Sequence, residues 1–135
     1  MITGCLNCYK LLSRHLEEIK VIFILDVLPA DLFEKHWPQA AYLHHPCPSS
    51  RWNELMTKAD CVFGHPQTSS TDTKPVSSES PVALCCGNGG GVSSFSPALA
   101  DRFLDRIAEQ AKGETMVTYC FGCQNRFLSR GVKSV

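Results

Sequence analysis

The chain has no excess of charge of either sign. Its 13 Lys and Arg are matched by 13 Asp and Glu, so the formal net charge is zero. Without a basic excess it lacks the electrostatic footprint of a protein that binds nucleic acid or an anionic membrane. Long apolar runs are also missing. The longest, Val21 to Leu25, is far short of the roughly 20 residues a spanning helix needs. The opening Met1-Ile2-Thr3-Gly4-Cys5 has no basic stretch followed by an apolar core. No secretory leader is expected, and the cytoplasm is the expected compartment. At 135 residues the chain is large enough for one domain with a single core.

Cysteine is the residue present in excess. Eight cysteines are many for this length, yet fewer than the roughly 8–10% of a disulfide-stapled scaffold. In a reducing compartment, clustered cysteines point to metal or redox chemistry before they point to staples. The stretch that organises them is Leu84-Cys85-Cys86-Gly87-Asn88-Gly89-Gly90-Gly91. Neighbouring side chains on an extended segment diverge. The glycines that follow let the backbone turn through positive φ and close around something bulky. Cys47 lies upstream in His44-His45-Pro46-Cys47, and Cys120-Phe121-Gly122-Cys123 lies downstream. The gaps are 37 residues from Cys47 to Cys85 and 33 from Cys86 to Cys120.

This order of motifs resembles the cysteine-rich CCG domain of the heterodisulfide reductase and glycolate oxidase iron–sulfur subunit family. The resemblance rests on HHPC at 44–47, where the family usually has HDPC, on CCGNGGG at 85–91, and on CFGC at 120–123. The early Gly4-Cys5-Leu6-Asn7-Cys8-Tyr9 looks like the CxxCY that closes a preceding half of such proteins. On that likeness residues 1–19 are expected to be the tail of a preceding CCG-like half, and 20–135 the CCG domain proper. The resemblance implies that Cys47, Cys85, Cys86, Cys120 and Cys123 ligate a noncubane 4Fe-4S cluster. It also implies that Gly87, Gly89, Gly90 and Gly91 shape the loop around it. His44 matches the family histidine, a candidate supporting residue. His45 stands in place of the family aspartate, either perturbing the cluster or lying at the surface. The implied role is electron transfer, with thiol–disulfide reduction where the cluster is itself the reacting centre. The expected partners are a flavoprotein or ferredoxin-type electron-transfer subunit, or a second CCG half.

Patterning supplies the expected frame. Leu6, Tyr9, Leu12 and Leu16 recur at helical spacing over residues 6–19, with Cys5 and Cys8 at the helix start. Residues 20–25 read as a buried parallel strand, 31–36 as a helix ended by Pro38, and 40–43 as a second strand. Trp52, Leu55 and Met56 suggest a short helix, and 59–63 a strand with Cys61 as a small buried hydrophobe. Residues 65–81 are rich in Ser, Thr and Pro and are expected to be a flexible polar loop, with His65 solvated. Residues 81–84 read as a strand entering the double cysteine. Ser96-Pro97 starts a helix with Leu99, Phe103, Ile107 and Ala111, together with Leu104 and Ala108, as its buried stripe, ended by Gly113. Residues 115–119 read as a strand, 122–130 as a helix, and 132–135 as the beginning of one more strand. The alternation predicts an α/β fold: a Rossmann-like parallel sheet with flanking helices, and the cysteine site at the carboxyl ends of its strands.

Three chemistries compete for this cysteine set. Thiolates suit iron–sulfur clusters and zinc alike, but a tetrahedral zinc needs only four. A structural zinc module is therefore the first alternative. A cofactor-free dithiol oxidoreductase using Cys120 and Cys123, or Cys5 and Cys8, is the second, and it leaves the double cysteine unexplained. A nucleotide site at GNGGG is weakest, because the GxGxxG spacing and an acidic ribose ligand are both missing.

Overall fold

The computed structural model describes residues 1–29, 41–63, 68–69 and 83–135. The helix expected at 31–36 and most of the loop expected at 65–81 lie outside the described residues. Strand β1 is Ile2–Thr3 and is followed at once by helix α1, Leu6–His15. Strand β2, Ile22–Phe23, pairs parallel with β1, Ile2 opposite Ile22. The apolar run does not continue as a strand. A 3₁₀ turn at Ile24–Asp26 bends the chain and buries Leu25. Helix α1 is also shorter than its pattern, because Leu16 departs from helical geometry.

Strand β3, Ala41–Leu43, is buried along its whole length. A 3₁₀ turn at Cys47–Arg51 leads into α2, Asn53–Phe63. The strand expected at 59–63 is thus helical. Met56, Ala59, Val62 and Phe63 share the buried face of α2, a helical rather than an alternating period. Cys61 falls on the opposite face and is exposed, contrary to the buried role expected for it. Within the expected loop, Thr68–Ser69 form β4.

Ala83 and Leu84 have no regular structure, so the expected strand does not reach the double cysteine. A 3₁₀ turn at Gly89–Gly91 leads to α3, Val92–Phe95, and then to α4, Pro97–Ala111. The start at Ser96-Pro97 is as expected, although the Ser96 hydroxyl makes no capping bond. Helix α4 buries Ala100, Leu104, Ile107 and Ala111, while Leu99 is 43% exposed. Leu104, Ile107 and Ala111 are buried as expected, Phe103 and Ala108 are half-buried, and Ala100 is buried where Leu99 was expected. Lys112 and Gly113, both at positive φ, end the helix. Strand β5, Thr115–Val117, precedes α5, Phe121–Ser129.

The second sheet has the order β4-β3-β5, all parallel, with Tyr42 opposite both Thr68 and Met116. Ser134 bridges to Met116 in parallel, so the strand expected at the end of the chain is present as a single bridge. The architecture is mixed α/β, mostly helical, with short parallel strands. Among the described residues the strands are too short to form a continuous Rossmann-like sheet. Leu6, Phe23, Leu43, Ile107, Met116 and Phe127 lie in one core, which also takes in Cys86, Cys120 and Cys123. Leu6 belongs to the 1–19 segment, so that segment packs into the same core as the rest.

Candidate functional site: a five-thiol cluster

Parallel register brings the first and last motifs together. His44 N–H donates to the Val117 carbonyl at 2.8 Å, extending the β3–β5 ladder by one step. The chain leaving β3 then runs beside the chain leaving β5. Cys47 and Cys120 consequently emerge at the same carboxyl edge. This is where parallel strands leave room for a site.

The glycine-rich loop is stapled to the same edge. Asn88 Nδ2 donates to the Gly122 carbonyl at 3.1 Å, linking the CCG loop to the CFGC turn. Gly87 turns at φ 82 and lies flat against α4, where a Cβ would meet the Ala100 carbonyl oxygen at 2.5 Å. Only glycine fits there on both counts.

All five cysteines singled out as ligands meet through their thiols, and all are free of disulfides. Cys47 hydrogen-bonds Cys85, while Cys123 hydrogen-bonds both Cys86 and Cys120. Protons and negative charge alternate through the set. Cys47 and Cys123 are pushed well up, chiefly because each donates S–H to a neighbouring sulfur, with burial adding to the effect. Cys85 accepts from Cys47, opposed by burial and aided by the backbone N–H groups of Gly87 and Gly89. It falls to about 6. Its bond from the Gly87 N–H measures 3.4 Å. Cys86 is lowered by Cys123 and by the Asn88 N–H. Cys120 is pulled down to about 5 by Cys123, with burial opposing, and by the N–H groups of Leu6, Cys123 and Gly122. These three sulfurs are thus shifted toward the thiolate, chiefly by the S–H groups of Cys47 and Cys123, with backbone N–H groups assisting in the manner of an anion nest. Among the described residues, no three His, Cys, Asp or Glu side chains form a group able to hold a single metal ion. The sulfurs instead form a pair and a trio joined by shared protons. Five soft donors with N–H support fit a polynuclear sulfide cluster in number and chemistry.

The two histidines behave differently from each other and from expectation. His45 is fully buried rather than at the surface. Its Nδ1 lies 2.9 Å from the Tyr119 hydroxyl and its Nε2 lies 3.3 Å from Asp60 Oδ1. Because the carboxylate only accepts, Nε2 carries the proton and Nδ1 accepts from Tyr119. Burial lowers the His45 pKa, and Asp60 partly offsets the shift. Burial raises that of Tyr119. The chain Asp60–His45–Tyr119 therefore ties α2 to the loops bearing Cys47 and Cys120. His44 is also fully buried, edge-on to Phe127, and neither ring nitrogen has a partner among the described residues. Burial, reinforced by His45, lowers its pKa to about 3, so the ring is neutral.

Sequence reasoning missed Asn88, Asp60, Tyr119 and the Leu6 N–H. Asn88 sits inside a quoted motif and could have been singled out. Tyr119 meets His45 across 74 residues, a pairing that no local pattern carries. A cavity of about 670 Å³ opens beside Cys47, lined by Asn7, Lys10, Arg14 and Arg51 among others.

Comparison with known families addresses the same segment. Residues 72–127 match the model of the CCG family, described as a cysteine-rich domain. That segment carries the CCG cysteine-rich domain. The match takes in Cys85, Cys86, Cys120 and Cys123 and covers less than half of the chain, leaving Cys47 outside it. No curated protein and no solved structure matches the chain. A cysteine-rich CCG domain is consistent with metal or cluster binding and redox chemistry. Among the described residues no helix is long and apolar enough to cross a membrane.

Proposed function

We propose that this chain is an iron–sulfur redox domain, one half or one subunit of a heterodisulfide-reductase-like electron-transfer system. The supporting observation is the gathering of five thiols from three distant motifs into a hydrogen-bonded pair and a hydrogen-bonded trio, furnished with backbone N–H donors. Cys47, Cys85, Cys86, Cys120 and Cys123 would hold a noncubane 4Fe-4S cluster, which when bound supplies one-electron transfer. Gly87 allows the loop to lie against α4. The N–H groups of Gly87, Asn88, Gly89 and Gly122 stabilise anionic sulfur. The His45–Tyr119 bond holds the loops of Cys47 and Cys120 in register. A flavoprotein or ferredoxin-type subunit, or a second CCG half, would exchange electrons with the site. A thiol–disulfide couple is the substrate class such a site suits, and the cytoplasm is the compartment that keeps its thiols reduced.

The test is metal and acid-labile sulfide analysis of anaerobically purified protein, with its electron paramagnetic resonance spectrum after mild oxidation. About four irons and four sulfides per chain are expected. Cys86→Ser should abolish the chromophore and Cys61→Ser should leave it intact. Zinc alone, or no metal after attempted reconstitution, would overturn the proposal.

A further inference from the structure

The cavity of about 670 Å³ beside Cys47 is lined by three cations and, among the described residues, by no carboxylate. Asn7, Lys10 and Arg14 are spaced three and four residues apart, which puts them on one face of α1. Arg51 closes the 3₁₀ turn begun by Cys47 and brings a third cation to the same opening. Among the described residues none of Lys10, Arg14 and Arg51 forms an ion pair, whereas Lys58, Arg126 and Arg130 do. In a chain of zero formal net charge, three unpaired cations at one concavity make a local positive field.

Trp52 belongs to the same wall. Its N–H donates to the Ser49 carbonyl at 2.7 Å, and its carbonyl accepts from the Leu55 N–H at 3.0 Å and the Met56 N–H at 3.3 Å. The backbone is fixed from both sides, yet the residue remains 36% exposed. An indole held in place with an open face is a stacking surface. A second cavity, of about 830 Å³, shares Lys10, Arg14, Arg51 and Trp52 with the first. It adds Tyr9, Phe23 and Leu55, with the Tyr9 and Phe23 rings 5.6 Å apart. Its carboxylates are Asp26, which pairs with Lys58, and Glu54. The end beside Cys47 is therefore cationic, and the end beyond Trp52 is aromatic with hydrogen-bond acceptors.

We propose that these joined cavities bind a mononucleotide, with its phosphate monoester between Lys10, Arg14 and Arg51 and its planar heterocycle stacked on Trp52. A phosphate monoester is close to doubly charged at neutral pH and offers three acceptor oxygens. Two guanidinium forks and one ammonium satisfy those oxygens. A single carboxylate would leave two of the three cations uncompensated. Glu54 is available to accept from a ribose hydroxyl or a ring amine. Each cavity falls within the range of about 300–1,000 Å³ typical of small-molecule sites. Binding here requires no metal and is independent of the redox role.

The test is equilibrium dialysis of the anaerobically purified full chain against AMP, FMN, adenosine, riboflavin and inorganic phosphate, with iron assayed on the same samples. AMP or FMN should bind at least about tenfold more tightly than its nucleoside and than inorganic phosphate. The tighter of the two names the ring as purine or flavin. Lys10→Gln, Arg14→Gln and Arg51→Gln should each weaken the nucleotide about tenfold, and Arg106→Gln on the exposed side of α4 should not. Trp52→Leu should lower nucleotide affinity to that of phosphate. Raising salt from about 0.05 to 0.5 M should weaken the nucleotide and leave its nucleoside unchanged. No nucleotide binding below about 1 mM would overturn the proposal. So would equal affinities in the Arg51 and Arg106 variants. Phosphate bound as tightly as both nucleotides would overturn the ring assignment, and nucleosides bound as tightly would overturn the phosphate seat. Nucleotide binding by a chain that takes up no iron would uphold this site and overturn the cluster alone. Iron without nucleotide binding would do the reverse.

Discussion

Replacing Gly87 by alanine should unseat the double-cysteine loop, and the neighbouring glycines supply the scale. Gly87 sits at φ 82, and an added Cβ would come within 2.5 Å of the Ala100 carbonyl oxygen and 2.9 Å of its Cα. Left-handed backbone costs a residue with a Cβ about 1–2 kcal/mol. The contact is shorter than ordinary by about 0.9 Å and meets helix backbone, which cannot rotate away, so overpacking adds about 1–3 kcal/mol. Gly90 is at φ 64 with open space, so only the backbone cost applies, reduced by about 0.4–1 kcal/mol from the stiffer unfolded chain. Gly89 has open space and no positive φ, so alanine there should be neutral or slightly stabilising. The expected stability order is Gly89→Ala, then Gly90→Ala about 1–2 kcal/mol below Gly89→Ala, then Gly87→Ala about 2–5 kcal/mol below Gly89→Ala. Urea unfolding of the metal-free protein measures this order. Metal loading should fall with Gly87→Ala alone, because Cys86 is displaced with it. Equal urea midpoints for the Gly87 and Gly89 variants would refute the argument.

The remaining predictions concern protons and caps. His44 stays neutral in the fold down to about 3, whereas the unfolded chain protonates it below 6.5. Its contribution therefore falls as pH drops through that window, by about 3 kcal/mol between pH 6.5 and 4. His45 and Phe127 are the groups against it. His44→Leu should flatten the pH dependence of the urea midpoint, and an unchanged slope would contradict this. Tyr119→Phe removes the hydroxyl that donates to His45 and leaves a buried acceptor unsatisfied, a loss of about 1–3 kcal/mol by urea unfolding. Metal uptake must displace the protons of Cys47 and Cys123. A pH-indicator titration should record their release, and uptake should weaken as pH is lowered. Lys112→Gly relieves φ 50 at the end of α4 and should raise the melting temperature, consistent with about 0.5–1 kcal/mol.

The elements legible in the sequence were those with strong local chemistry. Ser96-Pro97 started α4, the run Thr115-Met116-Val117 made a strand, and the CCG stretch turned on its glycines. The motifs HHPC, CCGNGGG and CFGC named five sulfurs through the family resemblance they carry, and the fold gathers those five as a pair and a trio. Local pattern failed where a short apolar run suited two periods. Residues 59–63 joined a helix because Met56, Ala59 and Val62 shared its buried face, which turned Cys61 outward. Only the tertiary structure decided the proton order within the thiols, the burial of His45 and the approach of Cys5 to Cys120. Each depends on parallel register or helix docking between residues far apart in the chain. Such contacts carry no periodicity of their own, so the sequence determined which groups were available and the packing determined which of them touch.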